Sequence, residues 1–125
     1  MIIGTGIDIV KVDRIGKLHN KFGDKFLQRV FTEKEVDYCK NKKRFVNSLA
    51  LRFAAKEAFL KSIKTGLRYD LKLTDIEILN DELGAPYINL YGATKKHAEG
   101  LKVKNMHVSL SDDGEYAVAN VILEG

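Results

Sequence analysis

The alternation of apolar and polar residues predicts that the chain begins with a strand. Residues 2–10 alternate so that Gly4, Gly6 and Asp8 share one face and three isoleucines share the other. The run is otherwise typical of a buried strand, where a charged and unpaired carboxylate is costly. Asp8 therefore needs a cation, a hydrogen-bond network or the edge of a cleft. The two glycines leave room for something to approach its face of the strand.

Two short helices are predicted to follow this strand. The first comes after Asp13, carries apolar residues at helical spacing and ends at Gly23. The second begins at Thr32, because Glu35 three residues later completes a capping-box pattern.

The longest predicted helix contains the segment LALRFAAKEAFLKSIK, which is rich in alanine, leucine and lysine. Asn47 or Ser48 is expected to cap its start, and it should end near residues 65–66.

The second half of the chain is dominated by strand patterns. A turn cluster links the first two of these strands, and Asp113-Gly114 predicts a two-residue hairpin between the last two. The predicted elements are strands 74–79 and 87–91, a helix over 93–101, and strands 105–111 and 116–123. The fold class that follows is α+β, an antiparallel sheet with helices packed on it.

Composition narrows the class of protein. The chain has 125 residues, 45% apolar and 30% charged, which fits one domain over residues 1–125. No segment reaches the roughly 20 apolar residues that span a bilayer, and the N-terminus lacks a signal-peptide pattern. We therefore expect a cytoplasmic protein with no membrane partner. Cys39 is the only cysteine and the histidines are scattered, so any metal here should be a hard, oxygen-bound one.

The net charge of +4 favours acidic partners. Basic residues recur every three or four positions through the first predicted helix, at Lys11, Arg14, Lys17, Lys21 and Lys25. This stripe is either a solvated helix face or a docking surface for an acidic helix. Its apolar neighbours favour protein over DNA.

The segment GTGIDI supplies the first two glycines of a dinucleotide-binding fingerprint. We reject that interpretation, because the third glycine position is Ile9 and Asp8 would point at the pyrophosphate. A second alternative stays open, in which Asp8 merely caps or bridges a buried backbone group.

Glu57 and Lys61 lie four residues apart on the longest helix. By spacing alone they make an ordinary surface ion pair. Phe53 and Leu60 border the same face, which places both charged groups towards the core edge. If this helix packs beside the first strand, Asp8 and Glu57 converge and repel unless a cation lies between them. Mg²⁺ is the favoured cation, with Lys61 one turn away as a phosphate partner.

Taken together, five segments resemble the holo-acyl-carrier-protein synthases, the small bacterial phosphopantetheinyl transferases. The segments are IGTGIDIVKVDRI, FTEKEVDYC, RFAAKEAFLKSI, DIEILNDELGAPYI and HVSLSDDGEYAVANVIL. The resemblance implies transfer of the 4'-phosphopantetheine group of coenzyme A to a serine of acyl carrier protein, giving 3',5'-ADP and supporting fatty acid biosynthesis.

The resemblance also implies roles for particular residues. Asp8 and Glu57 are similar to the family's magnesium ligands, and Lys61 to its lysine beside the phosphates. Arg14, Lys17 and Lys21 would receive the acidic carrier protein. A homotrimer with sites at subunit junctions is implied as well.

The chain departs from the family pattern at Asp112, where a histidine that contacts coenzyme A is expected. The resemblance assigns coenzyme A binding to Arg52 and to this position, with His107 as a partial substitute or, equally, a structural histidine. One rival function is a small nucleic-acid-binding module. Its strands should display stacking aromatic residues, but the strand MHVSLS has none, and Asp8 and Glu57 would be unexplained. Another rival is an inactive scaffold that only binds carrier protein.

Overall fold

The computed structural model describes all 125 residues and confirms the α+β class. The strands are β1 (Ile2–Lys11), β2 (Ile76–Asn80), β3 (Pro86–Leu90), β4 (Asn105–Asp112) and β5 (Tyr116–Glu124). The helices are α1 (Val12–Phe22), α2 (Asp24–Val30), α3 (Glu33–Lys40), α4 (Phe45–Ser62) and α5 (Gly92–Gly100). No helix has both the length and the apolar character that crossing a membrane requires.

The strands form two antiparallel sheets rather than one. The first has the order β1-β5-β4, and the second is the β2-β3 hairpin. Helix α4 lies across the inner face of the first sheet, and the core contains its buried alanines together with Val121 and Leu123 of β5. The predicted element types are thus correct, but their division into two sheets was not predicted.

Helix α4 packs directly against the backbone of β1, because β1 has glycine at two inward positions and no side chain separates the two elements there. A Cβ atom at Gly4 would lie 2.0 Å from the carbonyl oxygen of Ser62, and one at Gly6 would lie 1.8 Å from that of Ala58. No larger residue fits either position. The structure thus shows that α4 itself occupies the room which the glycines leave.

The other face of β1 differs from the expectation of a buried strand. Ile7 and Ile9 are 61% and 64% exposed, because nothing in this chain covers the outer face of the sheet. Asp8 points the other way, towards α4, and its side chain is only 16% exposed.

A buried polar network fixes α3 against α4. The predicted capping box is present, with Thr32 accepting a hydrogen bond from the amide of Glu35. The ammonium of Lys56, on α4, is fully buried and lies 2.7 Å from Oε1 of Glu35. Burial lowers the pKa of Lys56, and the charge of Glu35 opposes this effect. Lys56 also donates to the carbonyl oxygens of Leu73 and Ile76, so the buried charge is fully partnered.

The main differences from the predicted elements concern helix α2, the two ends of α4 and the turn between β4 and β5. Helix α2 was missed, because seven residues directly after the Gly23 stop give too short a periodic signal. Helix α4 begins at Phe45 without a side-chain cap, and it ends at Ser62 rather than near residues 65–66. Three residues, not two, separate β4 from β5, because the side chain of Asp113 accepts hydrogen bonds from the amides that follow it.

The glycine contact predicts opposite effects for two Gly→Ala substitutions. Gly6→Ala should destabilise the protein by about 3 kcal/mol or more, since its Cβ would overlap backbone that cannot move aside. The control is Gly16→Ala inside α1, where the new Cβ meets only Val46 at 3.4 Å and helix propensity should add about 0.5 to 1 kcal/mol. Urea unfolding measures both, and equal stabilities would contradict the packing argument.

Candidate active site

The structure brings Asp8, Glu57 and Lys61 together where β1 crosses the last turns of α4. The ammonium nitrogen of Lys61 lies 3.1 Å from Oδ1 of Asp8 and donates to the carbonyl oxygen of Ile7 at 2.9 Å. The predicted inward direction is correct for Glu57, which is half-buried, but not for Lys61, whose side chain is 56% exposed. Lys61 therefore lies along the strand with its charged end in reach of solvent.

The electrostatics of Glu57 show that the two carboxylates oppose each other. Burial raises the pKa of Glu57, and the negative charge of Asp8 raises it further. The positive charges of Lys61 and Arg14 only partly offset these effects. The negative charge of Glu57 is therefore incompletely compensated, whereas Asp8 is paired with Lys61, and an uncompensated carboxylate beside a second one is compatible with a cation site.

The site opens into a hollow of about 460 Å³ over the edge of the sheet. Its walls combine Asp8 and Lys61 with the apolar side chains of Ile7, Ile9 and Val118. The reactive groups are thus continuous with the exposed outer face of β1 and β5. A larger cavity of about 540 Å³ between α2 and α3 contains none of the predicted site residues.

The donor set at Asp8 and Glu57 suits a hard cation that needs few protein ligands. No group of three or more histidine, cysteine, aspartate or glutamate side chains is placed to hold a metal. Two carboxylates alone fit Mg²⁺, which takes its remaining oxygens from water and from a phosphate group. They do not fit zinc, which takes three or four protein ligands.

Only the central part of the predicted basic stripe lies on the exposed face of α1, because Lys11 ends β1 and Lys25 belongs to α2. Arg14, Lys17 and Lys21 are all exposed, and Lys17 makes a surface ion pair with Asp13 at 3.1 Å. Arg14 lies over the ring of Phe53 on α4, which brings the stripe close to Glu57.

Beside the stripe, a pocket of about 220 Å³ lies between α1 and α2. Leu18, Phe22 and Phe26 give it an apolar floor, and Lys25 and Arg29 stand at its rim. The surface is therefore apolar with a basic border, a combination that fits an acidic amphipathic helix.

A second cleft, of about 330 Å³, lies at the other end of α4, between the start of the helix and the two hairpins. Lys42, Arg44 and Arg52 contribute three positive charges to it, and Asp112 contributes one negative charge. Leu51, Pro86 and Leu110 supply apolar surface. The cleft thus suits an anion that carries a flat apolar group, such as a nucleotide.

Arg52 forms the floor of this cleft rather than reaching out from it. Its residue is 2% exposed, its guanidinium donates to Ser48 and Asn80, and it stacks over the ring of Tyr38. One buried nitrogen, Nε, has no hydrogen-bond partner. A buried arginine with an unused donor gives the cleft a fixed positive potential.

Asp112 and His107 occupy different surfaces. Oδ2 of Asp112 accepts hydrogen bonds from Asn47 at 2.9 Å and from the amide of Gly114 at 3.1 Å, so the carboxylate turns into the hairpin. His107 lies on the outer sheet face, with Nε2 at 2.6 Å from Glu124. Residues five apart on a strand face opposite ways, so within one chain the structure does not bring His107 to the cleft as a substitute.

Sequence reasoning missed two cations of the cleft, Lys42 and Arg44, and the role of Asn47. The basic run KNKKR just before α4 was the available signal, but its charge pattern alone resembles a solvated loop. Asn47 carries no signal at all, because its partners are 65 and 67 residues away along the chain.

Known proteins are similar to this chain over nearly its whole length. Residues 4–121 match the family model of the 4'-phosphopantetheinyl transferase superfamily. A holo-[acyl-carrier-protein] synthase of Geobacter sulfurreducens is 48% identical over 124 residues, covering 99% of this chain and 98% of that protein.

Solved structures are similar over the whole chain. The holo-[acyl-carrier-protein] synthase of Neisseria meningitidis superimposes with a TM-score of 0.92 at 38% identity, covering 100% of both chains. The Helicobacter pylori synthase in complex with coenzyme A gives 0.85 at 34% identity, covering 96% of this chain and 99% of that one. The Bacillus anthracis synthase in complex with CoA (3',5'-ADP) gives 0.82 at 38% identity, covering 100% and 98%.

Proposed function

The chain belongs to the 4'-phosphopantetheinyl transferase superfamily, and we propose that it acts as a magnesium-dependent holo-acyl-carrier-protein synthase in support of fatty acid biosynthesis. It transfers the 4'-phosphopantetheine group of coenzyme A to a serine of apo acyl carrier protein and releases 3',5'-ADP. The observation that carries the proposal for the site is the convergence of Asp8, Glu57 and Lys61 beside an open hollow.

The chemistry requires positioning and charge balance more than covalent help from the protein. The serine oxygen attacks the phosphorus next to the pantetheine, and the bond to the bridging oxygen of the diphosphate breaks. Its electron pair leaves with 3',5'-ADP, and the proton of the serine hydroxyl is released to water. Lys61 is exposed and flexible enough to turn from Asp8 towards the diphosphate, where its ammonium balances the charge that develops on the leaving group.

Asp8 and Glu57 are the residues that would hold the magnesium ion. Their mutual repulsion and the lack of a third protein ligand support this assignment. When bound, the metal ion would neutralise diphosphate charge and orient its oxygens for attack.

The cleft at the start of α4 is the proposed site of the nucleotide portion of coenzyme A. Lys42 and Arg44 suit a phosphate group, the buried charge of Arg52 adds positive potential beneath them, and the apolar wall suits adenine. In this placement Arg52 and Asp112 still belong to the proposed coenzyme A site. Arg52 forms the floor of the cleft and Asp112 forms part of its wall.

Intact-mass analysis after incubation with coenzyme A, Mg²⁺ and apo carrier protein tests the function. One phosphopantetheine should be added per carrier protein, and EDTA should prevent it. Asp8→Asn and Glu57→Gln should each lower the rate at least roughly a hundredfold. Both should leave the protein folded, with Glu57→Gln melting at the same or a higher temperature because one repelling charge is gone.

The matched control is Glu82→Gln, an exposed acid in the β2-β3 turn, which should keep full activity. Persistent wild-type transfer in EDTA would overturn the metal proposal and leave the transferase function standing. No mass gain under any condition would favour an inactive scaffold.

We propose that the active form is a homotrimer with sites at subunit junctions, and the exposed face around Ile7 and Ile9 supports assembly. Lys61 lies in the last turn of α4 and Arg44 just before its first turn, so about 25 Å separates their Cα atoms along the axis. One ribose separates the diphosphate of coenzyme A from its 3'-phosphate, which is too short to bridge that gap. The hollow of one chain and the cleft of another would form one site.

Light scattering tests the assembly. Ile9→Lys should give monomers and lose transfer activity, because a charge is placed in the centre of the apolar face. Leu83→Lys, at a hairpin tip that is 95% exposed, should leave the oligomer unchanged. An active monomer would contradict the proposal.

We propose that the acidic carrier protein docks on α1. Charge reversal of Lys17 and Lys21 should raise the KM for carrier protein about tenfold and weaken its salt dependence, with the KM for coenzyme A unchanged. Lys96→Glu on α5 serves as the charge-matched control. Equal effects on both substrates would show that this face is not the docking surface.

A further inference from the structure

The nucleotide cleft contains one charge of the wrong sign for an anionic ligand. Lys42, Arg44 and Arg52 attract phosphate, whereas Asp112 stands in the same wall and carries a carboxylate. A carboxylate that is free to move there would weaken ligand binding in one of two ways. It would repel the phosphate, or it would pair with one of the cations and so prevent that cation from binding the phosphate. The structure must therefore hold Asp112 in a third arrangement.

Asn47 provides that arrangement from the first turn of α4. Its amide nitrogen Nδ2 donates to Oδ2 of Asp112 at 2.9 Å and to the carbonyl oxygen of Gly114 at 3.1 Å. The backbone amide of Gly114 donates to the same carboxylate oxygen at 3.1 Å. One side chain thus joins α4 to the β4-β5 hairpin and takes part in holding the carboxylate against the turn.

Arg44 is the cation that Asp112 would otherwise reach. Its Nη2 atom packs against the hairpin, 2.9 Å from the position that a Cβ would take at Gly114. No hydrogen bond or ion pair joins Arg44 to Asp112 in the structure, although they approach the same turn. Asn47 therefore holds the carboxylate at a turn that the Arg44 guanidinium also approaches.

We propose that Asn47 is a positioning residue for coenzyme A binding, which keeps Asp112 turned into the hairpin and so leaves Arg44 and its neighbours free for a phosphate group. Asn47 also lines the cleft, but the role proposed for it is the one exerted on the carboxylate. It acts through Asp112, and its importance depends on that carboxylate being present. The inference rests on the proposed placement of the nucleotide in this cleft.

A double-mutant cycle tests the dependence on Asp112. Asn47→Ala should weaken the binding of 3',5'-ADP, measured by calorimetry, by roughly three- to tenfold. The KM for coenzyme A should rise in parallel while the KM for carrier protein stays unchanged. In the double variant Asn47→Ala/Asp112→Ala, binding should return to the level of Asp112→Ala alone, since no carboxylate remains to capture Arg44.

Asn41→Ala is the matched control, because it removes a side-chain hydrogen bond to backbone at the end of the neighbouring helix α3. Its affinity for 3',5'-ADP should equal that of the wild type. Thermal unfolding checks that each variant is folded, and Asn47→Ser replaces Asn47→Ala if the latter is not.

Two outcomes would overturn the inference: unchanged binding in Asn47→Ala, or a loss that persists at full size in the double variant. The second outcome would mean that Asn47 acts independently of Asp112, either by supporting the fold or by contacting the ligand itself. Arg44→Ala separates these results from a failure of the proposed site. If Arg44→Ala binds 3',5'-ADP normally, the nucleotide does not lie in the cleft. If Arg44→Ala binds it weakly and Asn47→Ala binds it normally, the nucleotide site stands and only the role of Asn47 is refuted.

Discussion

The reactive end of the molecule depends on how closely α4 can lie on β1. Gly4 and Gly6 let the backbone of the strand meet the carbonyl oxygens of Ser62 and Ala58 without an intervening side chain. That contact brings Asp8 beside the last turns of α4, where Glu57 and Lys61 are found. A separation larger by one methyl group would move the two carboxylates apart, and the cation site proposed for them would be lost.

The rest of α4 is held by buried polar groups, which is unusual for a central helix. Lys56 is fixed by Glu35 and two carbonyl oxygens, while Arg52 is fixed by Ser48 and Asn80. Such groups contribute little net stability, but breaking one partner leaves an uncompensated charge in the interior. They therefore restrict how α4 can rotate or slide, which fixes the position of Glu57 and Lys61 at one end of the helix relative to the cleft at the other.

The sequence was sufficient where a pattern is local or a charge is isolated. The capping box at Thr32 and the significance of Asp8 both followed from a few neighbouring residues. The cleft could not be predicted, because Arg52, Asn47 and Asp112 meet only after the hairpin has folded onto α4. His107 was placed by strand alternation on the correct face with Ser109 and Ser111, yet that face leads away from Asp112. Alternation shows which residues share a face of a strand, but not which face the rest of the protein covers.

The two faces of β1 have separate constraints, and this affects how the strand can change over time. Inner positions accept nothing larger than glycine, so a substitution there cannot be compensated by a change elsewhere on the surface. Outer positions such as Ile7 and Ile9 are more than half exposed and meet no such backbone contact, so substitutions there are restricted far less. A lineage, or a protein engineer, could therefore remodel the outer face of the strand while the inner contact with α4 stays intact.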